Sequence, residues 1–170
     1  MRDAVRHLSR RLAAYAIDIV ILAAVLIPLA FGIQALTGYR PDTGIGVWLA
    51  SVAEISVPSW AYFTISDMSP GGATLGKRLL GLQVRSADGS RIGLGRALLR
   101  TAIKLAPWEL THLTFFALSP QLGTFTDLQL GLLIVVYVLF AVYLVVALRN
   151  GGARSVHDLV ADTVVRRPAA

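Results

Sequence analysis

From Leu12 to Leu36 the chain is predominantly apolar and holds Asp18 as its only charge. A helix over this run is long enough to cross a hydrocarbon core of about 30 Å. An ionisable carboxyl at that depth costs a few kcal/mol, so it must turn inward and find a partner. Arg11 lies seven residues earlier and shares its face. It stands about 10 Å away along the axis, too far for a direct pair. The expected partner is therefore on another segment, with Arg100, Lys104 and His157 as candidates. Three roles stay open for Asp18: a structural ion pair fixing helix register, a group that binds a cation or exchanges a proton, or an unpaired neutral acid.

Other segments repeat the apolar pattern. Further spans are expected at about 47–65, with Glu54 and Pro58 inside it, at 97–118, and at 128–148, which is uncharged. The third is amphipathic. Arg96, Arg100 and Lys104 form one basic stripe, Pro107 is expected to kink it, and Glu109 and His112 share a face. The stripe is expected to meet the anionic inner leaflet. Ser9 is read as a cap for the first span, and the stretch from Pro120 to Asp127 as a loop before the last. Between the second and third spans, Asp88-Gly89 sits between two weakly alternating stretches, which predicts a short β-hairpin at the membrane surface. The fold class expected is all-α: a single membrane domain over 1–170, a bundle of four transmembrane helices with this hairpin.

Composition agrees. The 170 residues are 55% hydrophobic and 15% charged, against about 25% charged in a typical soluble domain. Of the 16 Lys and Arg, all but Arg40 fall before the first apolar run, between Lys77 and Lys104, or after the last run. An even number of crossings puts these segments on one side, and the positive-inside bias makes that side cytoplasmic, termini included. A net charge of +6 thus reflects topology, and nucleic-acid binding is not expected. With no cysteine, disulfides, Cys-ligated zinc and thiol chemistry are excluded.

Motifs for chemistry are sparse. Gly71 to Lys77 has the spacing of a phosphate loop, but Arg78 stands where magnesium needs Ser or Thr, and a span precedes the loop instead of a strand. His157-Asp158 lacks the further ligands a zinc site needs. Ser155, His157 and Asp158 are too close in sequence for a directed triad. No cofactor, metal or enzymatic activity is expected.

Three segments together carry a resemblance. They are Arg11 with Asp18, the stretch Gly72-Ala-Thr-Leu-Gly-Lys-Arg-Leu-Leu-Gly-Leu-Gln-Val through Asp88-Gly89 to Arg100, and His157-Asp158 with Thr163-Val-Val. The chain resembles the RDD family of membrane proteins, named for one arginine and two aspartates. The resemblance assigns Arg11 and Asp18 to the first two letters. Asp158 or the nearby Asp162 takes the third, and Asp162 stands where relatives often have glycine. Gly76, Lys77, Arg78 and Thr163 belong to the cytoplasmic part of the pattern. The resemblance implies a role in transport and supplies no substrate class.

Two functions compete. One is transport of a small solute or ion, coupled to protons or cations through Asp18 and Glu54 in a shared cavity, with a homo-oligomer expected because four spans are few. The other is a non-transporting scaffold or regulatory module that binds a partner protein or anionic lipid headgroups.

Overall fold

The computed structural model describes residues 1–118 and 125–168. Helix α1 (Arg2–Thr37) starts well before the apolar run and ends at Gly38, whose φ of 71° gives a left-handed cap. Ser9 is therefore inside the helix, donating to the Val5 carbonyl, and caps nothing. Helix α2 (Gly44–Ser51) is capped by the Thr43 hydroxyl and continues through a π-helical turn, Val52–Ser56, into α3 (Val57–Met68). Pro58 explains the π turn. It has no N–H and crowds the carbonyl four residues back, and the widened turn lets the Val57 N–H reach the Val52 carbonyl.

The short α4 (Leu75–Leu79) starts at the Thr74 cap. Helix α5 (Leu94–His112) passes Pro107 and widens into a second π turn, Leu113–Ala117. Helix α6 (Asp127–Arg149) opens on a capping box of Thr126 and Gln129, and α7 (Val156–Val160) on one of Ser155 and Asp158. Residues 120–124 of the loop expected from Pro120 to Asp127 lie outside the described residues.

Strands β1 (Gln83–Ser86) and β2 (Thr163–Arg166) form one antiparallel pair, with Gln83 opposite Arg166 and Ser86 opposite Thr163. This corrects the expected hairpin. Asp88-Gly89 does make a tight turn, closed by Gly89 N–H to the Ser86 carbonyl at 2.9 Å. The chain beyond it enters α5, however, and the C-terminal strand takes the edge. An isolated hairpin is marginal in water, and here the ribbon leans on helices. Val84, Val165, Leu82 and Ile92 form a small core with Ala14 of α1 and Ala97 of α5.

Helices α1 and α6 are long and apolar enough to cross a membrane. Both direct large apolar side chains outward, among them Val20, Val25 and Phe31 on α1 and Ile134, Tyr137 and Val138 on α6. An exposed apolar surface of this extent needs lipid or a partner to cover it.

Candidate functional site: a buried charge cluster beside a hollow

The ends of α1, α3, α5 and α7 bring together side chains far apart in sequence. Asp158, capping α7 from its N-terminal turn, is fully buried. Its Oδ2 accepts from Arg11 at 2.5 Å and from the Ser155 backbone N–H at 2.9 Å. Its Oδ1 accepts from Arg100 Nε at 3.0 Å and Thr163 Oγ1 at 3.1 Å. Arg100, itself 1% exposed, reaches the other way to Asp67 at the end of α3. Asp67 also pairs with Lys77 of α4. The result is one chain of charges, Arg11–Asp158–Arg100–Asp67–Lys77, across five elements.

Burial alone would raise the pKa of Asp67, but Lys77, Arg100 and Lys104 more than offset this and hold it below the usual carboxylate value. Burial opposes ionisation of Asp158 as well. There His157, Arg100 and Arg11 push the other way and hold its pKa well below the ordinary value. His157 is itself driven by burial to a pKa of about 4 despite Asp158 beside it. It is neutral at pH 7, so the two arginines stabilise the Asp158 carboxylate there. Lys77 is lowered chiefly by burial, and Asp67 opposes that shift.

Asp18 is buried as expected, but its partners are not the basic groups anticipated. Its carboxylate accepts from Tyr62 Oη at 2.7 Å, Thr74 Oγ1 at 2.6 Å and the Gly76 N–H at 2.8 Å. Each hydroxyl also accepts a backbone N–H, Leu75 to Tyr62 and Lys77 to Thr74. Their protons are therefore free to point at Asp18. The acid fastens the α4 turn to α1. Gly76 allows this approach, because a Cβ there would run into the Ala14 carbonyl and come within 3.0 Å of Asp18 Oδ1.

The remaining candidates separate. Glu54, on the first π turn, accepts from Gln34 at 2.9 Å. It lines a different hollow from Asp18, so the expected shared cavity of the two acids is not formed. Glu109 accepts from Ser56 and Trp60, both at 2.9 Å, instead of pairing with His112. Arg78 is exposed and donates to the Ala73 carbonyl. Asp162 is exposed and pairs at 3.1 Å with Arg154, while Asp158 meets Arg11. Its φ of 50° is left-handed, a conformation that glycine adopts without steric cost.

A sequence profile described as RDD family matches residues 5–162. The chain belongs to the RDD family. Family membership and the two long apolar helices mark it as a membrane protein. Comparisons with the curated proteins and with the solved structures find no match.

Within this RDD protein, sequence reasoning missed Asp67, the acid that joins Arg100 to Lys77. Its one signal is position: it ends the second apolar run, where the Gly-rich turn begins. Tyr62 gave no signal at all. Thr74 lies inside the quoted family stretch, and its capping position before Leu75-Gly-Lys hints at its role.

The last member is Lys104. Its ammonium lies 3.3 Å from the centre of the Phe63 ring and 4.6 Å from that of Tyr15, and it makes no ion pair among the described residues. Lys104, Lys77, Arg100, Arg11, His157 and Asp18 help line a hollow of about 370 Å³ between α1, α5 and α6.

Proposed function

We propose that the chain crosses the membrane four times, with both termini cytoplasmic, and moves a small charged solute or ion through the hollow between α1, α5 and α6. The single observation that carries this reading is Lys104, a cation at the hollow with no carboxylate partner among the described residues. Cations and acids away from water normally pair, and those that do not tend to mark ion or substrate pathways.

Four crossings are supported by α2 and α3 running on without a break from residue 44 to 68, and by α5 continuing through its π turn to residue 117. Proline and π turns are tolerated in spanning helices where neighbours satisfy the backbone. Cytoplasmic termini are supported by the grouping of lysines and arginines.

The geometry favours Lys104 over the Asp18–Glu54 pair as the group that meets the solute. Asp18 adjoins the hollow but is engaged by three donors, and Glu54 faces elsewhere. Coupling to protons or cations is assigned to Asp18 alone. Self-association through the apolar outer faces of α1 and α6 completes the reading, and anionic headgroups cover the basic cytoplasmic side.

The test is flux in proteoliposomes, using sodium, rubidium and chloride tracers and an internal pH dye. Wild-type flux above protein-free vesicles, lost in Lys104→Gln with the protein still monodisperse, supports the proposal. Wild-type flux equal to that of protein-free vesicles for every probe removes it.

A further inference from the structure

The lining of the hollow has two unlike parts. One carries charge: Arg11, Lys77, Arg100 and Lys104 against Asp18, with Asp67 and Asp158 just behind it. With every group ionised, four cations face three carboxylates, an excess of one positive charge. In surroundings of low dielectric an unbalanced charge is costly, and a single monoanion would bring the cluster to neutrality.

Its hydrogen-bonding capacity is also unspent. An ammonium has three N–H donors, and those of Lys104 meet only the faces of Phe63 and Tyr15 among the described residues. His157 Nε2 lies 3.4 Å from Arg11 and 3.3 Å from Asp158 Oδ2, so it has a partner in either tautomer. His157 Nδ1 is buried with no partner among the described residues. The Lys104 donors at the hollow thus lack an acceptor among the described residues, an arrangement suited to an oxyanion.

The rest of the hollow is walled mostly by hydrocarbon. Leu8 and Leu12 of α1 and Phe140 and Leu144 of α6 line it. Leu12, Phe140 and Leu144 are each 40% or more exposed, so the wall continues onto the outer apolar face of the two long helices. A free inorganic anion would leave this wall unused.

We propose that the hollow is a binding site for a monoanionic phosphodiester carrying acyl chains, an anionic phospholipid, with its phosphate at Lys104 and a chain between α1 and α6. This rests on the reading of the hollow as the solute site and names the class of molecule it takes. A zwitterionic phospholipid has the same chains but no net charge to neutralise the cluster. Inorganic phosphate has the charge without the chains.

The test uses the full chain, stripped of lipid in a non-ionic detergent. Thermal unfolding is followed against short-chain phosphatidylglycerol, phosphatidylcholine with the same chains, and inorganic phosphate. Native mass spectrometry counts the bound lipids. The expected result is one phosphatidylglycerol bound saturably, at least tenfold tighter than phosphatidylcholine, and no stabilisation by phosphate. Lys104→Gln should remove that preference and Lys104→Arg should keep it. Equal binding of the two lipids, or phosphate matching phosphatidylglycerol, overturns the proposal in the wild-type protein alone, whether or not the variants fold. Selective lipid binding with no flux of any probe would sink the transport reading and leave the site standing. Ion flux without selective lipid binding would do the reverse.

Discussion

Replacing Asp158 by Asn is the sharpest test of the charge cluster, because the shape is kept and only the charge and one acceptor change. The wild-type carboxylate takes Arg11 and the Ser155 N–H on one oxygen, and Arg100 and Thr163 on the other. Whichever way the amide turns, its NH2 faces donors that previously met an acceptor. Arg100 would keep Asp67, whereas Arg11 would keep only the Gly152 carbonyl at 2.9 Å and the His157 ring. The surplus charge of the cluster rises from one to two. Removing one partner of a buried pair costs about 3–5 kcal/mol. At tenfold per 1.4 kcal/mol this lowers the folding constant by roughly two to three and a half decades.

Reversible unfolding by a denaturing detergent in mixed micelles measures the change. Asp162→Asn is the control: that acid is exposed, and its pair with Arg154 is a surface bridge worth about 1 kcal/mol or less. A double-mutant cycle of Asp158→Asn with Arg11→Gln should show a coupling of at least about 1 kcal/mol, since the second change relieves the unpaired cation left by the first. If Asp158→Asn falls within about 1 kcal/mol of wild type, or costs no more than Asp162→Asn, the cluster does not hold the fold together.

Two further perturbations probe other joints. Gly76→Ala should cost about 1–3 kcal/mol, because its Cβ meets the Ala14 backbone and the Asp18 carboxylate; Gly95→Ala, which meets nothing within 4 Å in α5, should be neutral or slightly stabilising in the same unfolding assay. The pH dependence tests His157. Its folded pKa of about 4 lies below the ordinary 6.5, so between these values the unfolded chain binds the proton and the folded chain does not. Stability therefore falls as pH drops through this window, by about 3 kcal/mol in all. His157→Gln should flatten the curve there, and an unchanged slope refutes the assignment. Below pH 4 a second loss follows as Asp67 and Asp158 protonate, because their lowered pKa values confer stability that is present above the usual carboxylate range and vanishes beneath it.

What the sequence made legible was local. The expected last span at 128–148 differs by one residue at each end from α6 (Asp127–Arg149), because its apolar run is bounded by the Thr126–Gln129 capping box and Arg149. The turn at Asp88-Gly89 formed where its residues demanded. Its supposed partner strand did not, since pairing depends on which segment reaches the edge of β1. That segment lies beyond three helices in sequence, α5, α6 and α7. Asp18 was legible as a buried acid but not in its partners, since two hydroxyls and an amide leave no charge pattern to read. Asp67 was illegible for a related reason: an acid at the end of an apolar run looks like the start of a solvated loop until α4 folds back over it.

The stripe Arg96–Arg100–Lys104 shows how far a correct periodicity can mislead. One helix face carries all three, as the spacing requires, and a shared role at the lipid surface seemed the economical reading. Instead α5 runs inward from the edge of the sheet. Arg96 stays near the surface with the Ser86 hydroxyl, Arg100 is clamped between two aspartates, and Lys104 stands between aromatic rings. Four of the cations counted for topology thus point into the protein. They come with Asp18, Asp67 and Asp158, so setting the whole cluster aside takes only one unit from the net +6. The remaining excess of positive charge still lies on the segments that the orientation argument needs, and that argument does not depend on the cluster.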